Sequence, residues 1–319
     1  MAQRFLSGIQ PSGLLHLGNY FGAIRNHVQN QDNGYYFIAN YHALTTLQDA
    51  EQLRRNTFDV AATYLACGLD PTRAVLYRQS DVPEVCELMW MLMTVTGAGL
   101  LEKGVSFKDK KARGIQASAG LLTYPVLQAA DILAVDAQVV PVGADQVQHI
   151  EFARDMAASF NHLYGEVFAL PGFELGTPSP VPGIDGQKMS KSYDNHIPIF
   201  MQGKALKKRV MAIVTDSAGV DDAKVPEDCT VFQLYSLMAS AEEKEEMAAR
   251  YRAGGYGYGH AKLALLEKID ASFGEMRERR ADLDRHPDLV EDILAEGARK
   301  ARAVARATTD RARAACGLA

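Results

Sequence analysis

The sequence predicts an α/β fold, a doubly wound parallel sheet with a smaller all-helical part behind it, and three observations carry that expectation. Short apolar runs alternate with helix-period segments up to about residue 165. Residues 166–186 are rich in Pro and Gly and read as a connection. Beyond Pro198 the pattern is helical to the end of the chain.

Residues 4–9 form the first strand, a short apolar run. Leu17, Phe21, Ile24 and Val28 then fall on one face of a helix, which makes the segment between them a strand-to-helix turn. A second strand follows at 35–39, and a helix at 49–67 stops at Gly68 with Pro71 beyond it. The third strand is 74–78. A later one, 139–142, feeds a helix over 143–160. Cys86 to Val95 is apolar almost all round, which a solvated surface helix cannot be, so it is either a central helix or a subunit contact. Residues 254–259 are a glycine-rich turn.

Length and composition agree with this layout. A chain of 319 residues is long enough for two domains, placed at 1–186 and 187–319. A hydrophobic content of 47% and a charged content of 23% are ordinary for a globular chain. No long apolar stretch or leader pattern is evident, so membrane insertion is not expected and the cytoplasm is the default. Cys67, Cys86, Cys229 and Cys316 are scattered and imply neither a zinc site nor a disulfide framework. The net charge of −5 does not exclude a polyanionic partner, because local patches decide phosphate contact. Basic clusters stand at Lys204 to Arg209, at Arg277 to Arg280 and along residues 299–313, each interleaved with acids.

Two segments far apart in sequence have the character of phosphate grips. The first is Gln10-Pro-Ser12-Gly13-Leu-Leu-His16-Leu-Gly18-Asn19, a turn opening a helix, where unpaired N–H groups favour an anion. Gly18 lets a flat ring lie on the backbone, and His16 and Asn19 add donors. The spacing from Gly8 to Gly13 is that of a P-loop, but Leu14 and Leu15 stand where Lys and Ser or Thr are needed. No G-x-G-x-x-G follows the first strand either. The second segment is Lys188-Met189-Ser190-Lys191-Ser192, with Gly183 and Gly186 just before it to let the loop move. Lys103, Lys108, Lys110 and Lys111 make a third cationic stretch between the two.

The chain resembles the class I aminoacyl-tRNA synthetases, and among them the bacterial-type tryptophanyl-tRNA synthetases, over nearly its whole length. His16-Leu-Gly18-Asn19 resembles the class's His-Ile-Gly-His element with Asn last, and Lys188 to Ser192 matches Lys-Met-Ser-Lys-Ser letter for letter. The stretches 8–13, 121–125, 130–133 and 141–146 resemble further blocks of the tryptophan enzymes. Gln128, often Met in that family, and Ala144, often an acid, depart from the pattern.

The resemblance implies a Rossmann-like catalytic domain, a helical anticodon-binding domain, a homodimer joined near Trp90, and tRNA(Trp), L-tryptophan and ATP with Mg²⁺ as partners and substrates. It places ATP on Gln10, Ser12, His16, Gly18, Asn19, Gly143, Asp145, Lys108, Lys110, Lys188, Met189, Ser190 and Lys191. Of these, His16, Asn19, Lys110, Lys188 and Lys191 carry catalysis, and no metal is held by side chains alone. Tyr124, Gln128 and Asp131 are spaced four and three apart, so one helix face presents them together, and a carboxylate in an apolar slot accepts from a ring N–H or a phenol O–H. Phe5, Val140 and Val142 are expected as flat walls, with Gln10, His42 and Gln146 around the amino acid. Tyrosine as substrate, a nucleotidyltransferase that uses no tRNA, and a non-catalytic RNA-binding relative are the alternatives.

Overall fold

The computed structural model describes residues 3–104, 118–143, 146–175 and 180–318. Among them, five parallel strands, β1 (Phe5–Ile9), β2 (Gly34–Ile38), β3 (Val75–Arg78), β4 (Val139–Val142) and β5 (Gly172–Leu175), lie in the order β3-β2-β1-β4-β5. The order reverses between β1 and β4. The crevice at the C-terminal ends of those strands is where an open α/β sheet takes its ligands.

The helices between the strands follow from local signals. A helical run over 17–29 (α1) contains a π-turn at Tyr20–Ile24. A short α2 (Asn40–Ala43) follows β2. α3 (Ala50–Ala66) is capped by Asp49, whose carboxylate accepts from the Gln52 N–H at 2.9 Å, and Gly68 at φ +105° closes it off. Next come α4 (Glu84–Thr94), α5 (Ala98–Leu101), α6 (Ala119–Ala134) and α7 (Val147–Tyr164). The C-terminal part is α8 (Gly203–Met211), α9 (Thr230–Ser236), α10 (Ala241–Ala253), α11 (Tyr258–Arg285) and α12 (Pro287–Ala315).

Period-two alternation feeds the core on each side of the sheet. Tyr36, Ile38 and Leu76 face one side with α1 and α3, while Phe37, Ala39 and Tyr77 face the other with α4, α6 and α7. The first core runs without a break from Leu17 and Val60 into Leu206, Val231, Leu265 and Phe273, so apolar packing crosses residue 186. The terminal helix returns to the sheet. A stripe of Gly297, Ala298, Ala301 and Ala305 lets α12 lie against edge strand β3, and a Cβ on Gly297 would sit 1.8 Å from the Leu76 carbonyl oxygen. Covering that edge also hides its unpaired backbone groups.

One expectation changes. Strand β5 lies inside the segment read as a connection. It is an edge strand with three of its four residues exposed, so it lacks the buried run that marks a strand in sequence. The choice left open for helix α4 narrows: Val85, Leu88, Met91 and Leu92 are buried, while the apolar Cys86 and Trp90 face outward, Trp90 at 65% exposure, so it is not a central helix buried on every side.

Candidate active site

The two phosphate-grip segments meet. Leu17 N–H donates to the Ile197 carbonyl at 2.9 Å and Ile199 N–H to the Leu15 carbonyl at 3.1 Å, a short antiparallel stitch that ties the second loop to the first turn. Gly18 N–H points at the Met189 sulfur, 3.3 Å away, and Met189 is buried. The Lys191 ammonium rests on the carbonyl oxygens of Ser12 (3.1 Å) and Gly13 (2.9 Å) and the Ser12 hydroxyl (3.3 Å). Burial pulls the Lys191 pKa down from its ordinary value, against an opposing pull from Asp59.

His16 is 7% exposed. Burial, then Lys191 and His196, lower its imidazole to about 4, so the ring is neutral at pH 7. Asn19 accepts from the His16 backbone N–H at 3.0 Å, which fixes its amide and leaves the NH₂ end for a ligand.

The loop bearing the lysines is organised by Asn195, a residue the sequence reading did not single out. It is 1% exposed; its oxygen accepts from Ser190 N–H at 2.7 Å, and its NH₂ donates to the Lys188 carbonyl (3.1 Å) and to Asp185 (2.8 Å). Gly183 is glycine because a Cβ there would stand 2.4 Å from the Asn195 amide.

His16, Gly18, Asn19, Met189 and Lys191 line one large cleft together with Ser12, Gly143, Lys188, Ser190 and Tyr193. A second, smaller cavity of about 380 Å³ shares Leu6 as a wall. It is lined by Gly8 of β1, Gln10, His42, Tyr124, Gln128, Asp131, Val140, Gln146 and His149, among others. Tyr124, Gln128 and Asp131 share the helix face their spacing predicts. Asp131 is 2% exposed, and its bonds come from Gln79 Nε2 to both oxygens (2.9 and 2.8 Å) and His42 Nε2 (3.0 Å). Burial raises its pKa above the usual carboxylate value, while the hydrogen bond and charge of His42 and the bond from Gln79 oppose that shift. The Tyr124 hydroxyl lies 2.6 Å from His149 Nε2.

Two predicted pocket residues lie elsewhere. Phe5 and Val142 line the larger cleft rather than the cavity. On β1 the side chains alternate, so Leu6 and Gly8 face the cavity and Phe5 and Ser7 face away from it. Val142 stands with Pro141 and Gly143 at the end of β4, on the cleft wall. Gln10 lines the cavity and not the cleft. Gly18 lines the cleft, but a Cβ there would meet the His16 ring at 2.9 Å and Met189 at 3.4 Å, so its bareness admits protein contacts and not only a ligand. Lys108, Lys110 and Asp145 lie outside the described residues.

Gln79 and His149 were also missed. Gln79 follows the C-terminal end of β3, a place where parallel sheets put functional side chains, and that position was the available signal.

Known proteins give the same assignment. Residues 2–274 match the family model of tRNA synthetases class I (W and Y). The tryptophan--tRNA ligase of Rhodopirellula baltica is 56% identical over 318 residues, covering 99% of each chain. The solved tryptophanyl-tRNA synthetase of Campylobacter jejuni, complexed with ADP and tryptophane, is 46% identical and superposes with a TM-score of 0.93 over 99% of this chain and all of that one. With a family model over most of its length and relatives of this identity end to end, the chain belongs to the class I tRNA synthetases of the tryptophan and tyrosine type.

Proposed function

We propose that this chain joins L-tryptophan to tRNA(Trp). The substrate carboxylate attacks the α-phosphate of ATP, giving tryptophanyl-adenylate and pyrophosphate. A hydroxyl of the terminal adenosine of tRNA then takes the aminoacyl group and releases AMP. A carboxylate is already a nucleophile, so catalysis is positioning and charge stabilisation.

The observation that carries this reading is a cavity with one fully buried carboxylate, Asp131, opening beside a cleft where the two motifs meet. Tryptophan places its ring N–H against Asp131, with Tyr124, Gln128 and Gln146 around the rest of the amino acid. ATP lies in the cleft on Ser12, His16, Asn19 and Gly143, with Lys188 and Lys191 on its outer phosphates. Lys108, Lys110 and Asp145 are proposed partners by the family pattern alone. Among the described residues no group of three His, Cys, Asp or Glu side chains stands ready for a metal, so we place Mg²⁺ on the phosphate oxygens, where it neutralises the leaving pyrophosphate.

We assign tRNA binding to the helical part after residue 186. Lys204, Lys207 and Lys208 support this: they are exposed on α8 just beyond the lysine loop, and among the described residues no ion pair engages them. Arg299, Arg302, Arg311 and Arg313 of α12 are instead engaged in ion pairs within the chain, as in Arg302–Glu84 and Arg311–Asp136. The outward face of α4, with Trp90 exposed, fits a second copy of the chain. Among the described residues no helix is long and apolar enough to cross a membrane, and we place the enzyme in the cytoplasm.

Pyrophosphate exchange measured separately with tryptophan and tyrosine tests the assignment. Exchange with tryptophan at a kcat/KM at least about 100-fold above tyrosine is expected, given the discrimination a buried hydrogen-bonding site provides. A tyrosine preference would reassign the substrate.

A further inference from the structure

We propose that Gln79 is the positioning residue that aims the Asp131 carboxylate at the substrate's ring N–H and thereby sets the preference for an indole side chain. This deepens the assignment of the cavity to tryptophan and rests on it. Gln79 is 1% exposed and is not part of the cavity wall; it stands behind Asp131, in the turn Gln79–Asp81 that follows β3.

The orientation of its amide is fixed by backbone. The side-chain oxygen accepts from Tyr41 N–H at 3.0 Å and, more weakly, from His42 N–H at 3.4 Å. A backbone N–H is a donor only, so the oxygen has to face it and the NH₂ has to face Asp131. That NH₂ reaches both carboxylate oxygens, at 2.9 and 2.8 Å, which holds the plane of the carboxylate. His42 Nε2 takes a further direction on Oδ2 at 3.0 Å. A carboxylate offers about four lone-pair directions, and these contacts leave one for the cavity, suited to an N–H donor.

The donors also decide what Asp131 presents. Tyr77 of β3, Cys86 of α4 and His42 of α2 act on it electrostatically, and Tyr124 and His149 share its cavity; among the described residues only Gln79 and His42 donate to it. Without the Gln79 NH₂, a carboxyl this buried gains from holding a proton, and its O–H would meet the substrate's N–H donor to donor. A phenol O–H is both donor and acceptor and tolerates either form, whereas a ring N–H requires the acceptor.

The test is Gln79→Met, which keeps the volume and deletes both polar ends. Pyrophosphate exchange is measured with tryptophan and with 3-benzothienyl-alanine, whose ring carries sulfur in place of the N–H. From the strength of hydrogen bonds to charged groups, kcat/KM for tryptophan is expected to fall about 10-fold or more, and that for the analogue by less than about 3-fold. Equal losses for both substrates, or no loss, overturn the role.

Should Gln79→Met fail to fold, Gln79→Glu keeps the shape and the acceptor toward Tyr41 and His42. Its carboxylate has to share a proton with Asp131, which turns Asp131 into a donor part of the time, so kcat/KM for tryptophan relative to the analogue is low near pH 6 and rises as that proton is lost toward about pH 8; a flat ratio overturns the role. Wild-type enzyme that exchanges no pyrophosphate with tryptophan removes the substrate assignment and this proposal with it. Wild-type exchange with an unchanged ratio in the variants removes only Gln79.

Discussion

The ammonium of Lys191 lies 2.9 Å from the carbonyl oxygen of Gly13, a contact that spans 178 positions in sequence and joins the turn after β1 directly to the Lys188–Ser192 loop. Backbone carbonyls satisfy the half-buried cation, and a triphosphate arriving in the same cleft would offer it a stronger, charged acceptor.

Lys191→Ala therefore loses an interaction that grows as negative charge moves onto the leaving phosphates. The expected result is a fall in kcat of roughly 10² or more with a smaller change in the KM for ATP, read by pyrophosphate exchange. Equal losses in both would mean that Lys191 only helps ATP to bind.

Asp131→Asn turns an acceptor into a group with a donating end. One end of the new amide has to face the NH₂ of Gln79 or the Nε2 of His42, both of which now donate to the carboxylate. Leaving one such buried group unmatched costs about 1–3 kcal/mol, so kcat/KM for tryptophan drops roughly 5- to 150-fold. Near-normal kinetics would take Asp131 out of the pocket.

The parallel strand–helix alternation and the meeting of the two motifs were legible because each has a local signature. The helix over 49–67 carried its own Asp49 cap and Gly68 stop, and the turn and the lysine loop carried their chemistry in consecutive residues. What escaped notice depends on distant partners. Gln79 and Asn195 are single polar residues in turns, and Gln79 bonds to Asp131 52 positions away. Phe5 was assigned to the wrong side because an apolar run of Phe5 to Ile9 does not say which parity faces which layer. The packing of Phe37 against Gly8 decides it, since a Cβ on Gly8 would stand 2.4 Å from that ring.

Gly297→Ala tests the return of the terminal helix. The added methyl meets the Leu76 carbonyl oxygen at 1.8 Å, and that atom belongs to the backbone of a sheet strand and cannot step aside. Helix α12 has to lift from β3, at a cost of about 3 kcal/mol or more, visible as a lower urea midpoint. An unchanged midpoint would mean that α12 does not pack on the strand.

Acid sensitivity follows from His27, which is 8% exposed and sits against Tyr64 with Nδ1 3.1 Å from the hydroxyl. Burial lowers its pKa from 6.5 to about 4, so below pH 6.5 the unfolded chain takes up a proton that the folded chain refuses. Stability therefore falls as pH falls through that window, by roughly 3 kcal/mol at the lower end from this group. His16 is shifted the same way and adds to the loss. Denaturation of His27→Gln at neutral pH and near pH 4.5 should show a smaller loss on acidification than wild type; an equal loss would contradict the assignment.

A crystal structure with a nonhydrolysable ATP analogue and tryptophan bears most directly on the whole account. The triphosphate is expected to touch both the turn at Ser12 to Asn19 and the Lys188–Lys191 loop, with the indole N–H on Asp131. A nucleotide bound away from either segment, or an indole outside the cavity, would contradict it.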